Sequence, residues 1–277
     1  MLIVDSQVHI WAANTPERPW MPNTRAHQPE PLGADELLRE MDEAGVDRVV
    51  IVPPRLDGTR NDLALNAARA HPDRYAVMGK IDAKDPKYRE WMPTWRDQPG
   101  MLGIRFNFKR SPETLASGDA DWVWSAAEQA GVPIYVGISQ ENLHVMDAIA
   151  DKHPALKLIL DHMALEQGVK DDHAFRNFDK LIAVAKRPNI GVKVSSLPSY
   201  TDAPYPYRNL HRYVRRVYDA FGPQRMLWGS DLSRLRGSYR ECVTLFTEEM
   251  PWLSGEDLEW IMGRAACEWL GWPVSAR

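Results

Sequence analysis

Apolar runs of strand length recur along the whole chain, at residues 2–4, 48–52, 75–81, 102–108, 133–138, 156–160, 190–194 and 225–228. Helical patterning fills most of the intervals, and that alternation implies βα units building a parallel sheet. Several runs are nearly continuous in apolar character, as strands covered on both faces require. Eight such runs suffice to close a barrel. The predicted helices Ala34–Ala44 and Asp121–Ala130 end at Gly45 and Gly131, residues suited to a left-handed C-terminal cap. Those over 61–70 and 148–152 stop at His71-Pro72 and His153-Pro154, where proline forbids further helix. The connections 12–31, 111–120 and 197–207 are longer than a barrel needs, and loops that follow strands open on its mouth. All three are expected to roof a site.

The length of 277 residues suits one α/β barrel, which takes about 250, so residues 1–277 are read as a single domain. A hydrophobic share of 44% and a charged share of 26% are ordinary for a soluble globular protein and suggest neither disorder nor membrane residence. A net charge of -4 and no basic stripe argue against a general nucleic-acid partner, and a small molecule is expected instead. Cys242 and Cys267 match no zinc-finger spacing and are read as buried free thiols. No signal-peptide pattern opens the chain, and no stretch approaches the ~20 apolar residues of a membrane span, so no membrane partner and a cytoplasmic location are expected.

Three strand ends carry candidate chemistry. Gln7-Val8-His9 follows the first run, Asp161-His162 the sixth and Gly229-Ser230-Asp231 the eighth. A parallel barrel assembles its reaction centre from such residues at the C-terminal mouth of its strands. Side-chain alternation places Asp5, Gln7 and His9 on one face, and Arg105 with Asn107 on one face of the fourth strand. An inward guanidinium there suits a carboxylate or a developing oxyanion. Lys193 shares the parity of Ser195 and offers a second cation, and His27 sits on a loop long enough to reach the pocket. Asp5 reads as a buried structural partner, and Asp161, opposite in parity to His162, as a loop anchor. Taken alone, His9 is more simply a core histidine and Asp231 a helix cap. Together with His162 they favour function.

The segments Val4-Asp5-Ser6-Gln7-Val8-His9-Ile10-Trp11, Gly103-Ile104-Arg105, Leu160-Asp161-His162, Lys193-Val194-Ser195 and Trp228-Gly229-Ser230-Asp231 stand in a specific order and cadence. From Val4 to about Gly271 the chain thereby resembles the amidohydrolase superfamily, in its amidohydrolase-2 branch of lactonases and nonoxidative decarboxylases. The resemblance implies a distorted (β/α)8 TIM barrel. In that superfamily the first strand ends in His-x-His, the fifth often in another His, the sixth supplies a His and the eighth an Asp. His9, His162 and Asp231 match three of these places; Gln7 stands where the first His belongs, and Tyr135 is nearest to the fifth-strand position.

Two schemes stay open. His9, His162 and Asp231 could hold one divalent ion, zinc or manganese, with an open position for water. Alternatively no cofactor is obligatory, as in the superfamily's metal-independent lactonases. The resemblance then implies hydrolysis of a small carboxylated lactone in sugar-acid or aromatic catabolism, with Asp231 as general base for water. His9, His162 and Gln7 would surround the carbonyl oxygen, and Arg105, Tyr135, Asn107, Lys193, Arg234, Arg236 and His27 would bind substrate. Arg234 and Arg236 stand where many relatives carry Trp-Pro, which favours an anionic substrate. The alternatives are a metal-dependent nonoxidative decarboxylase of an aromatic or unsaturated acid, and a catalytically silent binding barrel supported by Gln7 alone. A homo-oligomer is compatible with the eleven tryptophans.

Overall fold

The eight apolar runs become eight strands in a computed structural model, which describes residues 1–110 and 112–274. They are β1 (Val4–Val8), β2 (Arg48–Ile51), β3 (Tyr75–Gly79), β4 (Met101–Asn107), β5 (Ile134–Gly137), β6 (Leu158–Leu160), β7 (Ile190–Ser195) and β8 (Met226–Gly229). All neighbours pair in parallel and in chain order, giving the (β/α)8 barrel. The helices Ala34–Ala44 and Asp121–Ala130 have the predicted bounds, whereas Leu143–Lys152 starts well before residue 148. Among the described residues no helix is long and apolar enough to cross a membrane.

Inside the barrel, Val4, Val50, Ala76, Met78, Tyr135, Ile159 and Leu227 pack against Ala265, Ala266 and Trp269 of the C-terminal helix Ala265–Leu270. The opposite strand faces, such as Val8, Val49 and Ile104, join the larger core beneath the outer helices. In β1 three steps from Asp5 to Val8 oppose two steps from Val49 to Ile51, a bulge that resets alternation. Val4 and Gln7 therefore both face the interior, while Asp5 and Val8 face away from it. This corrects the expectation that Asp5 shares a face with Gln7 and His9.

Asp5 instead closes the barrel seam, where β8 and β1 share no strand ladder among the described residues. Its Oδ1 accepts from the backbone N–H groups of Gln7 and Ser230 at 2.9 Å each. Its Oδ2 accepts from the Tyr239 hydroxyl at 2.7 Å and from the Ser230 hydroxyl. Two further bonds cross the seam, Asp231 N–H to Gln7 O at 2.9 Å and Ser6 Oγ to Trp228 O at 2.7 Å. Burial pushes the Asp5 carboxyl up to about 6, against the pull of these donors. Asp5→Ala strands four donors and is expected to cost about 3 kcal/mol. Calorimetry should show a fall in Tm of roughly 6–12 °C; a fall below about 2 °C would mean that other contacts hold the seam.

Candidate active site

The C-terminal mouth opens into a cavity of about 1330 Å3 with His9, His162 and Asp231 among its lining. Left-handed backbone ends three consecutive strands, at His162 (φ 51), Ser196 (φ 60) and Asp231 (φ 56). For a residue other than glycine this costs roughly 1–2 kcal/mol, the kind of local strain that concentrates at functional sites.

His9 Nδ1 lies 2.6 Å from Val52 O, so that nitrogen carries the hydrogen and Nε2 is left as an acceptor. Gln7 Nε2 donates to it at 3.1 Å. The Gln7 amide is oriented by Lys193, whose Nζ donates to Gln7 Oε1 at 2.7 Å; an ammonium only donates, so the oxygen must face it. Burial, helped by His27, Arg105 and Arg234, holds His9 well below 6.5 and keeps it neutral. A neutral His9 of this tautomer has no N–H to offer a substrate carbonyl. Gln7 is fully buried and lies off the cavity wall. The expected polarising roles of His9 and Gln7 do not match this arrangement.

Asp231 Oδ1 is buried, has no hydrogen-bond partner among the described residues and sits 3.5 Å from His9 Nε2. Its Oδ2 accepts from Ser196 Oγ at 3.3 Å and lies 3.7 Å from Arg234 Nε and 4.0 Å from His162 Nε2. Burial raises the Asp231 carboxyl above its ordinary range, although Arg234 and Arg105 pull it down. His162 Nδ1 is 2.8 Å from Ser195 Oγ, and burial holds this ring neutral as well.

These donors do not suit a divalent ion. The His9 lone pair that a metal would need already takes a hydrogen from Gln7, and Lys193 prevents Gln7 from presenting its oxygen instead. Among the described residues no group of three or more His, Cys, Asp or Glu side chains is arranged to hold an ion.

Below the cavity runs a buried charge pair. Lys193 Nζ is 2.7 Å from Asp161 Oδ1, a close ion contact without hydrogen-bond alignment, and 3.2 Å from the centre of the Tyr135 ring. Arg105 Nε donates to Asp161 Oδ2 at 2.9 Å. Burial would raise Asp161, but Lys193 and Arg105 outweigh it and hold the carboxyl well below the carboxylate range. Lys193, desolvated against the attraction of Asp161, drops to about 8. Asp161 is thus an interior counter-ion and not a loop anchor.

The expected substrate contacts divide by position. Arg105, Asn107, Arg234 and His27 line the cavity, whereas Tyr135 and Lys193 are fully buried beneath it. Arg236 turns outward, donating to Thr201 O and standing 3.2 Å from Asp202. His27 Nε2 accepts from Arg234 Nη2 at 2.6 Å, and its Nδ1 is 2.7 Å from Ser233 Oγ. Burial, then Arg234 and Arg105, push His27 down to about 3, so it is neutral. Loop 12–31 roofs the cavity and Thr114 reaches it from the second loop, but no residue of 197–207 lines it. That third loop is tied down elsewhere, through Thr201 to Asp171 at 2.6 Å and Tyr205 to Thr244 at 2.8 Å. Arg25, Arg55, Lys80 and Arg110 also line the cavity, and sequence reasoning missed them. Lys80 alone had a signal, since alternation from Ala76 and Met78 carries it to the interior face.

The family model described as Amidohydrolase matches residues 4–272. An L-fucono-1,5-lactonase of Burkholderia ambifaria is 26% identical over 250 residues, 85% of this chain and 82% of that protein. A 4-sulfomuconolactone hydrolase of Hydrogenophaga intermedia is 23% identical over 238 residues, 82% of this chain and 73% of that protein. The crystal structure of an amidohydrolase from Burkholderia multivorans with bound zinc superposes with a TM-score of 0.82 at 23% identity, covering 99% of this chain and 100% of that one.

Nitrogen-15 NMR of the histidine side chains should find His9 neutral with hydrogen on Nδ1, and Lys193→Met should disturb that state by freeing Gln7. A His9 with hydrogen on Nε2 in the wild-type protein would overturn the orientation of Gln7 given above.

Proposed function

Because the chain belongs to the amidohydrolase family, we propose that it hydrolyses a small anionic lactone with Asp231 as general base and no metal cofactor. One observation carries this reading: a buried carboxylate oxygen, Asp231 Oδ1, has no partner among the described residues. The lone pairs of that oxygen suit a water molecule that donates a hydrogen to Asp231 from the cavity side. The water oxygen attacks the lactone carbonyl carbon as Asp231 takes the proton. The oxyanion that forms is met by the guanidinium groups of Arg234 and Arg105 and by His162. In that role Ser195 Oγ donates to His162 Nδ1, and Nε2 carries the hydrogen facing the cavity. Collapse breaks the ring C–O bond, and Asp231 returns its proton to the departing oxygen, leaving an open-chain hydroxy acid.

The names of the relatives support this chemistry, since both curated relatives cited above are described as hydrolases of lactones. The decarboxylase alternative rests on a divalent ion, for which His9, engaged by Gln7, offers no free lone pair. A silent barrel leaves the unpartnered Asp231 oxygen without a purpose. Two buried free thiols accord with a reducing cytoplasm, where we place a catabolic role.

Asp231→Asn should lower kcat by roughly a thousandfold while leaving the melting temperature close to wild type; turnover near the wild-type rate would refute the base assignment. Because the base must be ionised and burial raises its pKa, the acid limb of kcat/KM should lie above the ordinary 3.8 of an aspartate.

A further inference from the structure

We infer, on the hydrolytic reading above, that Ser196 is a positioning residue for Asp231: its hydroxyl pins Oδ2 and so leaves Oδ1 as the oxygen that takes the proton of the attacking water. Among the described residues the Asp231 carboxylate receives one hydrogen bond, from Ser196 Oγ to Oδ2 at 3.3 Å. The other groups around it stand farther off. Arg234 Nε lies 3.7 Å and His162 Nε2 4.0 Å from Oδ2, and His9 Nε2, itself an acceptor, lies 3.5 Å from Oδ1. The terminal torsion of an aspartate is broad, so the two oxygens exchange places with little resistance. Without Ser196, no bond of hydrogen-bond length decides which of them is left free.

The backbone at Ser196 is bent in a way that serves this contact. Neighbouring side chains of an unbroken strand point to opposite faces. Ser195 and Ser196 nevertheless both reach the site, Ser195 Oγ at 2.8 Å from His162 Nδ1 and Ser196 Oγ on Asp231. A left-handed φ of 60° follows the last residue of β7 and turns the second hydroxyl back beside the first. Glycine takes that conformation freely, whereas a residue with a Cβ is strained in it. The strain is therefore tied to what the side chain does. Ser199 Oγ donates its hydrogen to Ser196 O at 2.7 Å, so in its 3.0 Å contact with Ser196 Oγ it can only accept. The single hydrogen of Ser196 thus has two acceptors, and the ionised carboxylate is the stronger. Ser196 is only 3% exposed, which keeps solvent from competing for that hydrogen.

The test compares Ser196→Gly and Ser196→Ala with wild type, by steady-state kinetics on a carboxylated lactone and by melting temperature. Both variants lack the hydroxyl, but only glycine relieves the backbone. Ser196→Gly should therefore melt roughly 2–6 °C above Ser196→Ala, while both lose about tenfold in kcat with KM within about twofold of wild type. A loss in kcat smaller than about threefold in Ser196→Gly, or a loss confined to KM, would overturn the inference, since the residue would then act through its backbone or on substrate binding. A thermal double-mutant cycle with Asp231→Ala needs no turnover and so separates this proposal from the hydrolytic one. If wild type hydrolyses no lactone, the hydrolytic reading fails by itself. The positioning then stands if the change in Tm caused by Ser196→Gly is at least about 3 °C more negative in wild type than in the Asp231→Ala background, and it falls if the two changes agree within that margin.

Discussion

A buried ammonium must find acceptors, and from that requirement at Lys193 much of the site's order follows. Its Nζ is sealed from solvent among Asp161, Gln7 and the face of Tyr135. Removing one partner of such a pair typically costs about 3–5 kcal/mol, so the arrangement is held firmly. Because Lys193 only donates, Gln7 must turn its oxygen downward and its amide hydrogens upward. His9 then becomes an acceptor, fixed from its other side by Val52 O. The carboxylate of Asp231 faces that acceptor with one oxygen unpartnered. A chain of donors and acceptors therefore passes from the barrel interior to Asp231.

The same residues depend on a correctly closed barrel. Asp5 gathers donors from both sides of the β1–β8 seam, and the bulge beside it rotates Gln7 into the interior. Seam and site are thus two outcomes of one irregular strand. Without the bulge, Gln7 would share the outward parity of Asp5 and could not meet Lys193.

Much of this was legible in the sequence. Apolar runs mark every strand to within a few residues because strands covered on both faces need continuous apolar side chains. His9, His162 and Asp231 stand out because they end strands, and the structure brings them together around one cavity. What escaped has physical causes. Alternation assumes an unbroken pleat, so it misplaced Asp5. Parity says which way a side chain points but not how deep it lies, so Tyr135 and Lys193 were read as wall when they are floor. The tautomer of His9 depends on Val52 and Lys193, far away in sequence. The third long loop, 197–207, has the composition of a roof, yet its polar groups are satisfied by Asp171 and Thr244 at the side of the barrel.

The central claim is that Gln7 and Lys193 replace a metal centre and leave a carboxylate to do the work of the base. It is tested most directly by measuring metal content in protein purified without chelator, together with lactone hydrolysis before and after exhaustive chelation. The account predicts no stoichiometric metal and an unchanged rate. About one zinc or manganese per chain, with hydrolysis lost on chelation and restored by the ion, would contradict it.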